Sequence, residues 1–322
     1  MPFCPTRCLY CSFTSNPIGK CKNLVEPYLK ALYYEMDMLS KYIQHKGLKI
    51  QCVYFGGGTP TSVNNAQFEK TLNKIYYNFV HNKEVEEFTV ECGRPDSITE
   101  EKLLSMKKYN VHRISINPQT MNNSTLKNIG RTHSVEDIER IYHLAKSIGF
   151  KNINMDLIVG LPGEGIEEIK NTCRKIKKLN PDNVTVHGMS IKRGSILHEK
   201  LVNKMEFNIP RQEELNRMYE ETEYLAKDLG MKPYYMYRQK NMLGNMENVG
   251  YSKENKIGIY NIQMIEERQT IIALGADAVS KIIFMDENRI ERAPNVKDVI
   301  EYTKRVKEMV HRKKKILDTL YL

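Results

Sequence analysis

The sequence predicts an α/β protein whose core is a mainly parallel sheet, followed by an α+β extension. Short apolar, β-rich stretches alternate with longer segments of helical pattern at roughly 30-residue spacing, the repeat of right-handed βαβ units. Single polar residues recur at or just beyond the ends of those stretches, where parallel sheets and barrels build their binding sites. After residue 189 the rhythm changes, so residues 1–193 are read as the α/β core and residues 194–322 as the extension.

The stretch IQCVYFGG (residues 50–57) is rich in β-formers and ends in glycine. EFTVEC (87–92), HRISIN (112–117), INMDLIVG (153–160) and NVTVHGM (183–189) follow as strand candidates. Between them, SITEEKLLSMKKY opens on Ser97 and SVEDIERIYHLAKSIG opens on Ser134. An acidic residue three or four places further on makes each serine a helix-capping candidate. Gly149 stands where a C-terminal glycine would stop the second helix. Beyond residue 189, a polar helical pattern covers residues 210–230 and leads into KPYYMYRQKN, an Asn/Gly-rich loop and TIIALGADAVSKI. Nothing marks a flexible linker.

Composition narrows the class. The chain has 322 residues and ordinary hydrophobic content, enough for a large core. It has no run near the ~20 apolar residues that span a bilayer, and no apolar leader follows its start. It is therefore read as soluble and cytoplasmic, with no membrane partner. The formal charge of +10 favours anionic partners without choosing among nucleic acid, acidic lipid headgroups and a polycarboxylate ligand. The run HRKKK (residues 311–315) is read as the solvated face of a C-terminal helix.

Seven cysteines at uneven spacing point to metal binding or catalysis rather than to a disulfide framework. Cys21, Cys52, Cys92 and Cys173 read most simply as small buried apolar groups. Cys4, Cys8 and Cys11, in FCPTRCLYCSF (residues 3–13), differ: Cys-x3-Cys-x2-Cys puts three soft ligands on one loop. Zinc, copper(I) and an iron–sulfur cluster all accept such ligands. A structural zinc site wants four protein ligands, usually from two separate pairs, and no second pair is visible. A [4Fe–4S] cube held by three cysteines keeps one iron open; Cys21 as a fourth ligand is the competing reading. YFGGGTPTS sets three glycines after a strand, where amides can form an anion-binding nest or simply a tight turn. Glu91, Gln119 and Asp156 are the polar residues at successive strand ends. Local capping or turn roles are the plain alternatives for each, and their convergence favours a site.

The cysteine triplet together with GGGTP resembles the radical S-adenosylmethionine (SAM) superfamily. More narrowly, the chain resembles the oxygen-independent coproporphyrinogen III dehydrogenase family, in its bacterial shorter-core branch. The stretches FTVECGRPDSIT, RISINPQTM, IGRTHS, MDLIVGLPGE and PYYMYRQKNMLGNMENVGY extend that likeness over most of the chain. The resemblance implies a partial, open TIM-like barrel of parallel strands with a C-terminal α+β extension. It implies a [4Fe–4S] cluster on Cys4, Cys8 and Cys11, with S-adenosylmethionine on the fourth iron. Tyr10 would lie beside the adenine, and Gly57, Gly58 and Thr59 would line the methionine end. Glu91, Gln119 and Asp156 would hydrogen-bond the cofactor, and Arg131 would face a cofactor carboxylate, which its planar fork suits.

The chemistry implied is one-electron cleavage of the cofactor to a deoxyadenosyl radical, which takes a hydrogen atom from a substrate propionate. Loss of carbon dioxide and an electron then leaves a vinyl group, and two such conversions give protoporphyrinogen IX. No general base is needed. A porphyrinogen substrate and a reducing electron donor such as a flavodoxin or ferredoxin are the implied partners. Arg193, Arg238 and Lys240 are candidates for propionate contacts. A haem- or porphyrin-carrying relative that keeps the cluster without decarboxylating is the alternative. A third reading, a radical enzyme on nucleic acid, wants a basic stripe with stacking aromatics, and no dedicated module of that kind is seen. In the family a strand leads into the cysteine loop, whereas here three residues precede Cys4. An absent first strand and an open barrel edge beside the loop are therefore expected.

Overall fold

The computed structural model describes residues 1–203 and 210–321. Two short paired strands, β1 (Phe3–Cys4) and β2 (Asn16–Pro17), flank the cysteine loop and precede helix α1 (Lys22–His45). Alternation then sets in, with β3 (Cys52–Phe55), α2 (Asn65–Ile75), β4 (Glu87–Gly93) and α3 (Glu100–Lys108). It continues through β5 (Arg113–Ile116), α4 (Asn123–Asn128), α5 (Val135–Ser147), β6 (Ile153–Val159), α6 (Ile166–Leu179) and β7 (Asn183–Gly188). The second part adds α7 (Ile196–Val202), α8 (Gln212–Asp228), β8 (Lys232–Tyr237), β9 (Asn248–Ser252) and α9 (Ile259–Glu266). A hairpin, β10 (Val279–Phe284) and β11 (Arg289–Pro294), and helix α10 (Val299–Asp318) complete it.

Strands β3 to β7 pair in parallel and in chain order, as the βαβ repeat requires. Strand β9 then pairs antiparallel with β7, and β8 pairs antiparallel with β9. The result is a seven-stranded sheet in the order β3-β4-β5-β6-β7-β9-β8, curled into a half-barrel. This is the open, partial barrel expected. Strand β3 is its end strand, and the backbone of residues 1–3 runs beside the turn that follows β3.

Period-two alternation gives the sheet its two faces. On β4, Phe88, Val90 and Cys92 are fully buried in the main apolar core, and Ile153, Met155, Leu157 and Val159 do the same on β6. The intervening Thr89, Glu91, Asn154 and Asp156 lie on the opposite, concave face. Local signals mostly held. Ser134 caps α5 in a reciprocal box with Asp137, and Gly149 follows that helix with φ +97°. Ser97 does not cap α3; Thr99 does, through Lys102 N–H. Ser97 is instead buried in a tight turn, sharing a 2.6 Å hydrogen bond with Thr61 and donating to Arg94 O at 2.8 Å. No helix among the described residues is long and apolar enough to cross a membrane.

The basic run on α10 also differs from expectation. His311, Arg312 and Lys315 are exposed, but Lys313 is 1% exposed and faces α1. Its Nζ lies 2.5 Å from Glu35 Oε1 and 2.6 Å from Asn295 Oδ1. Glu35 also accepts from Tyr302 OH (2.6 Å), Asn295 Nδ2 (3.0 Å) and Gly275 N–H (2.8 Å). Burial pushes the Lys313 ammonium pKa down, and Glu35 opposes that shift. A charge run read from sequence cannot show which member turns inward to meet a distant carboxylate. Removing one partner of such a pair leaves the other buried and uncompensated. Glu35→Ala is therefore expected to destabilise the fold by about 3–5 kcal/mol, measured as a lowered urea midpoint. A loss below ~1 kcal/mol, the level of a surface ion pair, would contradict this account.

Candidate functional site

The cysteine loop is tied down mainly through its backbone. Gly58 N–H donates to Met1 O at 2.6 Å, and Thr59 N–H to Phe3 O at 2.8 Å. Farther along, Leu9 N–H reaches Ile129 O and Leu197 N–H reaches Leu9 O, both at 2.9 Å, while Cys11 N–H closes a turn on Cys8 O at 3.1 Å. Thr6 Oγ1 donates to Gly130 O at 2.8 Å. Phe3, wholly buried, meets Tyr28 of α1 edge to face at 5.5 Å. These ties keep the three thiols on one loop, with Cys8 and Cys4 both near enough to act on Cys11, while among the described residues no three His, Cys, Asp or Glu side chains are placed to hold a single metal ion. Cys4 Sγ accepts from Thr59 Oγ1, and Cys8 Sγ from Arg94 Nη1, each at 3.5 Å. The Cys11 thiol is pushed up to about 11, chiefly by burial, with the charges of Cys8 and Cys4 adding to it. Cys21 sits at the start of α1 and packs against the main core.

Glycine is required at the neighbouring turn. Gly57 has φ +111°, and a Cβ there would stand 2.7 Å from Met1 O. At Gly58 a Cβ would come within 2.7 Å of Phe3 O and 2.9 Å of Cys4 Sγ. Two backbones and the Cys4 sulfur meet there with no room for a side chain.

The strand-end residues converge on the same mouth. Glu91 accepts from Tyr54 OH at 3.0 Å, and burial followed by the Asp156 charge raises its pKa to about 7. Burial pushes Asp156 up as well, but His187, Asn154 and Arg113 together hold it below the usual carboxylate value. His187 Nε2 stands 3.7 Å from Asp156 Oδ2, and Asn154 Nδ2 donates to Asp156 Oδ1 at 2.7 Å. Gln119 has φ +68°, a left-handed backbone unusual for glutamine. It is held there by Gln119 N–H to Asp156 O and Ile158 N–H to Gln119 O, both 2.9 Å. Arg131, also buried, donates from Nη1 to Asn117 O (2.5 Å) and Pro118 O (3.3 Å). Burial raises the Tyr10 phenol pKa, Arg131 opposes this, and a hydrogen bond to Cys8 adds to it.

Of the weaker substrate candidates, Arg193 adjoins the cysteine loop, where Arg7 donates to Gly194 O at 2.7 Å. Arg193 and Arg7 line a surface cavity of about 370 Å³ with His198 and Glu199, and Arg238 is engaged by Glu247 at 2.8 Å. Lys240 contributes its carbonyl to Ser190 Oγ at 2.9 Å.

Sequence reasoning missed Arg94, Asp96, Asn117 and His187. Each follows or ends a strand of the parallel sheet, so the rule that selected Glu91 also covers them. Arg94 grips Asp96 with Nε and Nη2 at 3.1 and 2.8 Å. Burial would raise Asp96, but His133 and Arg94 hold its carboxyl well below the ordinary range. Several buried polar atoms here, Asn117 Oδ1, Gln119 Oε1, Ser115 Oγ and Arg131 Nε, have no partner among the described residues. Soft sulfurs beside unsatisfied polar atoms and a glycine cradle fit an iron–sulfur cluster carrying a polar organic cofactor.

Comparison with known proteins gives the same picture. Residues 1–176 match the radical SAM superfamily. The chain is 44% identical over 321 residues to the oxygen-independent coproporphyrinogen-III oxidase-like protein HemZ of Bacillus subtilis, covering 100% of this chain and 64% of that protein. It is 31% identical over 220 residues to the heme chaperone HemW of the same organism, covering 68% of this chain and 56% of that relative. The chain thus spans less than two thirds of either relative's length. Among solved structures, coproporphyrinogen III oxidase (HemN) from Escherichia coli, a radical SAM enzyme, superposes with TM-score 0.74 at 21% identity. That superposition covers 96% of this chain and 68% of that one, and it supports the half-barrel fold.

Two outcomes follow from the geometry. Gly58→Ala is expected to lose most of the iron taken up on anaerobic reconstitution, while Gly19→Ala, with nothing within 4 Å, keeps it; iron and sulfide counts decide. The second concerns Glu91, whose folded pKa of about 7 lies above its ordinary 4.5. The folded state holds the extra proton between those values, so this group's contribution is complete below pH 4.5 and is lost as pH rises to about 7. The loss is at most about 3 kcal/mol. Metal-free Glu91→Gln should be more stable than the parent at pH 8 and equal to it near pH 4.5. Urea midpoints that move together at both pH values would refute this.

Proposed function

The chain belongs to the radical SAM superfamily, and from that premise we propose that it carries out oxygen-independent oxidative decarboxylation of coproporphyrinogen III to protoporphyrinogen IX. Members of the superfamily use a [4Fe–4S] cluster and S-adenosylmethionine. When bound, the pair supplies an electron and the radical chemistry that removes a hydrogen atom from an unactivated carbon. In this reading Cys4, Cys8 and Cys11 are the cluster ligands, and residues 1–193 carry the cofactor while residues 194–322 complete the substrate side. Gly57, Gly58 and Thr59 offer backbone and hydroxyl groups to the methionine end. Gln119 and Arg131 offer the unpartnered Oε1 and Nε. Asp156, held as an anion by His187, accepts hydrogen bonds from the cofactor, and Glu91 holds or releases a proton near neutrality.

The chain also excludes water. Leu9, Ile129, Ile158, Leu161 and Met189 form an apolar cluster against which Tyr10 packs, so the loop closes over the cofactor on a dry wall. The single observation that carries the reading is the meeting of the Cys4, Cys8 and Cys11 loop with Glu91, Gln119 and Asp156 at one end of a half-barrel. The porphyrinogen is supported by the likeness of the whole of this chain to 64% of the coproporphyrinogen oxidase-like relative, and a charge of +10 suits a substrate with several carboxylates. A one-electron donor such as a flavodoxin or ferredoxin would supply the reductant. A second reading, transfer of haem without decarboxylation, rests on the match to the heme chaperone.

Anaerobic incubation of cluster-loaded protein with reductant, S-adenosylmethionine and coproporphyrinogen III separates the two. Vinyl product with stoichiometric carbon dioxide and deoxyadenosine is the expected result. Haem binding and transfer without vinyl product would select the carrier, and the absence of both would overturn each reading.

A further inference from the structure

The sulfurs of the tripod receive different donors. Cys4 takes the Thr59 hydroxyl, Cys11 takes the backbone N–H of Phe13, and Cys8 takes the guanidinium of Arg94. Arg131 approaches the same Cys8 sulfur. Arg94 is 3% exposed, comes from the turn after β4, and is oriented by contacts on both sides. Its Nε and Nη2 hold the two oxygens of Asp96, a carboxylate that also accepts from Thr132 Oγ1 at 2.6 Å and lies 3.6 Å from His133 Nδ1. The remaining Nη1 faces the loop, 3.0 Å from Thr6 Oγ1 and 3.5 Å from Cys8 Sγ. The ion pair therefore presents its cationic end to the sulfur, with the anion on the far side.

A donor to a cluster thiolate draws electron density from the sulfur and favours the more negative, reduced cluster; hydrogen bonding and local charge set such potentials. We propose that Arg94 is a positioning residue that, oriented by Asp96, raises the reduction potential of the cluster through Cys8. The inference rests on the cluster reading above, with Cys8 as a ligand. It assigns to one buried ion pair the ease with which the bound cluster accepts its electron. The sign follows from the geometry. Removing the cation makes the cluster harder to reduce, and removing the anion behind it makes the cluster easier to reduce.

The test is a redox titration of the anaerobically reconstituted full chain, followed by electron paramagnetic resonance, on parent, Arg94→Met, Arg94→Lys and Asp96→Asn. At the parent's midpoint, Arg94→Met should show a reduced-to-oxidised ratio about tenfold lower, which is about 59 mV for a one-electron couple. Arg94→Lys, which keeps charge but not the fork, should fall between the two. Asp96→Asn should shift in the opposite direction from Arg94→Met. A purely structural pair predicts reduced iron content with no opposed shifts. Equal midpoints in parent and Arg94→Met at equal iron content would overturn the proposal, as would Asp96→Asn moving in the same direction as Arg94→Met. Should Arg94→Met fail to take up iron, Asp96→Asn decides alone: an upward shift supports the proposal and any other result refutes it. Failure of both variants to take up iron assigns the pair to folding and also refutes it. A parent that binds no cluster would instead remove the reading on which the inference stands.

Discussion

The contact that the site depends on is the approach of two stretches of backbone, residues 1–4 and residues 57–59. It is so close that neither Gly57 nor Gly58 has room for a Cβ. Hydrogen bonds from Gly58 and Thr59 to Met1 O and Phe3 O fix the first strand segment, of which Cys4 is the last residue. From Phe3 the support runs inward. Its ring meets Tyr28, and Tyr28 meets Tyr302 of α10, both at 5.5 Å. Such ring pairs contribute about 0.5–1.5 kcal/mol each beyond the area they bury. Tyr302 in turn donates to Glu35, the carboxylate that receives Lys313. Cys4 therefore reaches the C-terminal helix through two aromatic contacts, and that helix helps to hold Cys4 in place.

The concave face of the sheet is arranged for chemistry at the expense of stability. Glu91 and Asp156 are neighbours that would each resist ionisation on burial, yet their environments separate them. His187, Asn154 and Arg113 favour the Asp156 anion, while burial and then the neighbouring Asp156 charge keep Glu91 protonated up to about pH 7 against the opposing hydrogen bond from Tyr54. Two like groups pushed to different protonation states are the usual mark of a functional pair. Unpartnered Asn117 Oδ1, Gln119 Oε1 and Arg131 Nε add to the load, and Gln119 is also held in a left-handed conformation. The opposite face, with Phe88, Val90, Met155 and Leu157 fully buried, carries the compensating apolar packing.

Much of this was readable from the chain alone. The parallel strands were legible because each is a short apolar run bounded by turn residues, and Ser134 and Gly149 because capping chemistry is local. The cysteine triplet was legible because its spacing is. What stayed hidden depends on partners brought together by the fold. Arg94 and Cys8 are 86 residues apart, and Lys313 and Glu35 are 278 apart. Nothing near Lys313 distinguishes it from its solvated neighbours. Ser97 was misread for a related reason: its sequence has the form of a cap, but Thr61 and the Arg94 carbonyl compete for its hydroxyl and leave the cap to Thr99. The antiparallel return of β9 onto β7 was likewise invisible, since strand order is a property of the sheet and not of any one segment.

That return bears on how far residues 1–193 can stand alone. Without residues after 193, β7 would lose its antiparallel partner over Asn183, Val184, Thr185 and Val186. Those residues lead directly to His187, which with Asn154 and Arg113 holds Asp156 below the usual carboxylate value. Glu35 would lose its cation and most of its hydrogen-bond donors, and Tyr28 would lose the ring of Tyr302. A buried carboxylate left in that condition would have to take up a proton or open to water, and either change loosens α1, on which Phe3 packs. The later residues thus act on the sulfur tripod from two directions, through α10 beneath the loop and through β9 beside the carboxylates. The electrostatic setting of the site is in this sense a property of the whole half-barrel and its C-terminal helix together.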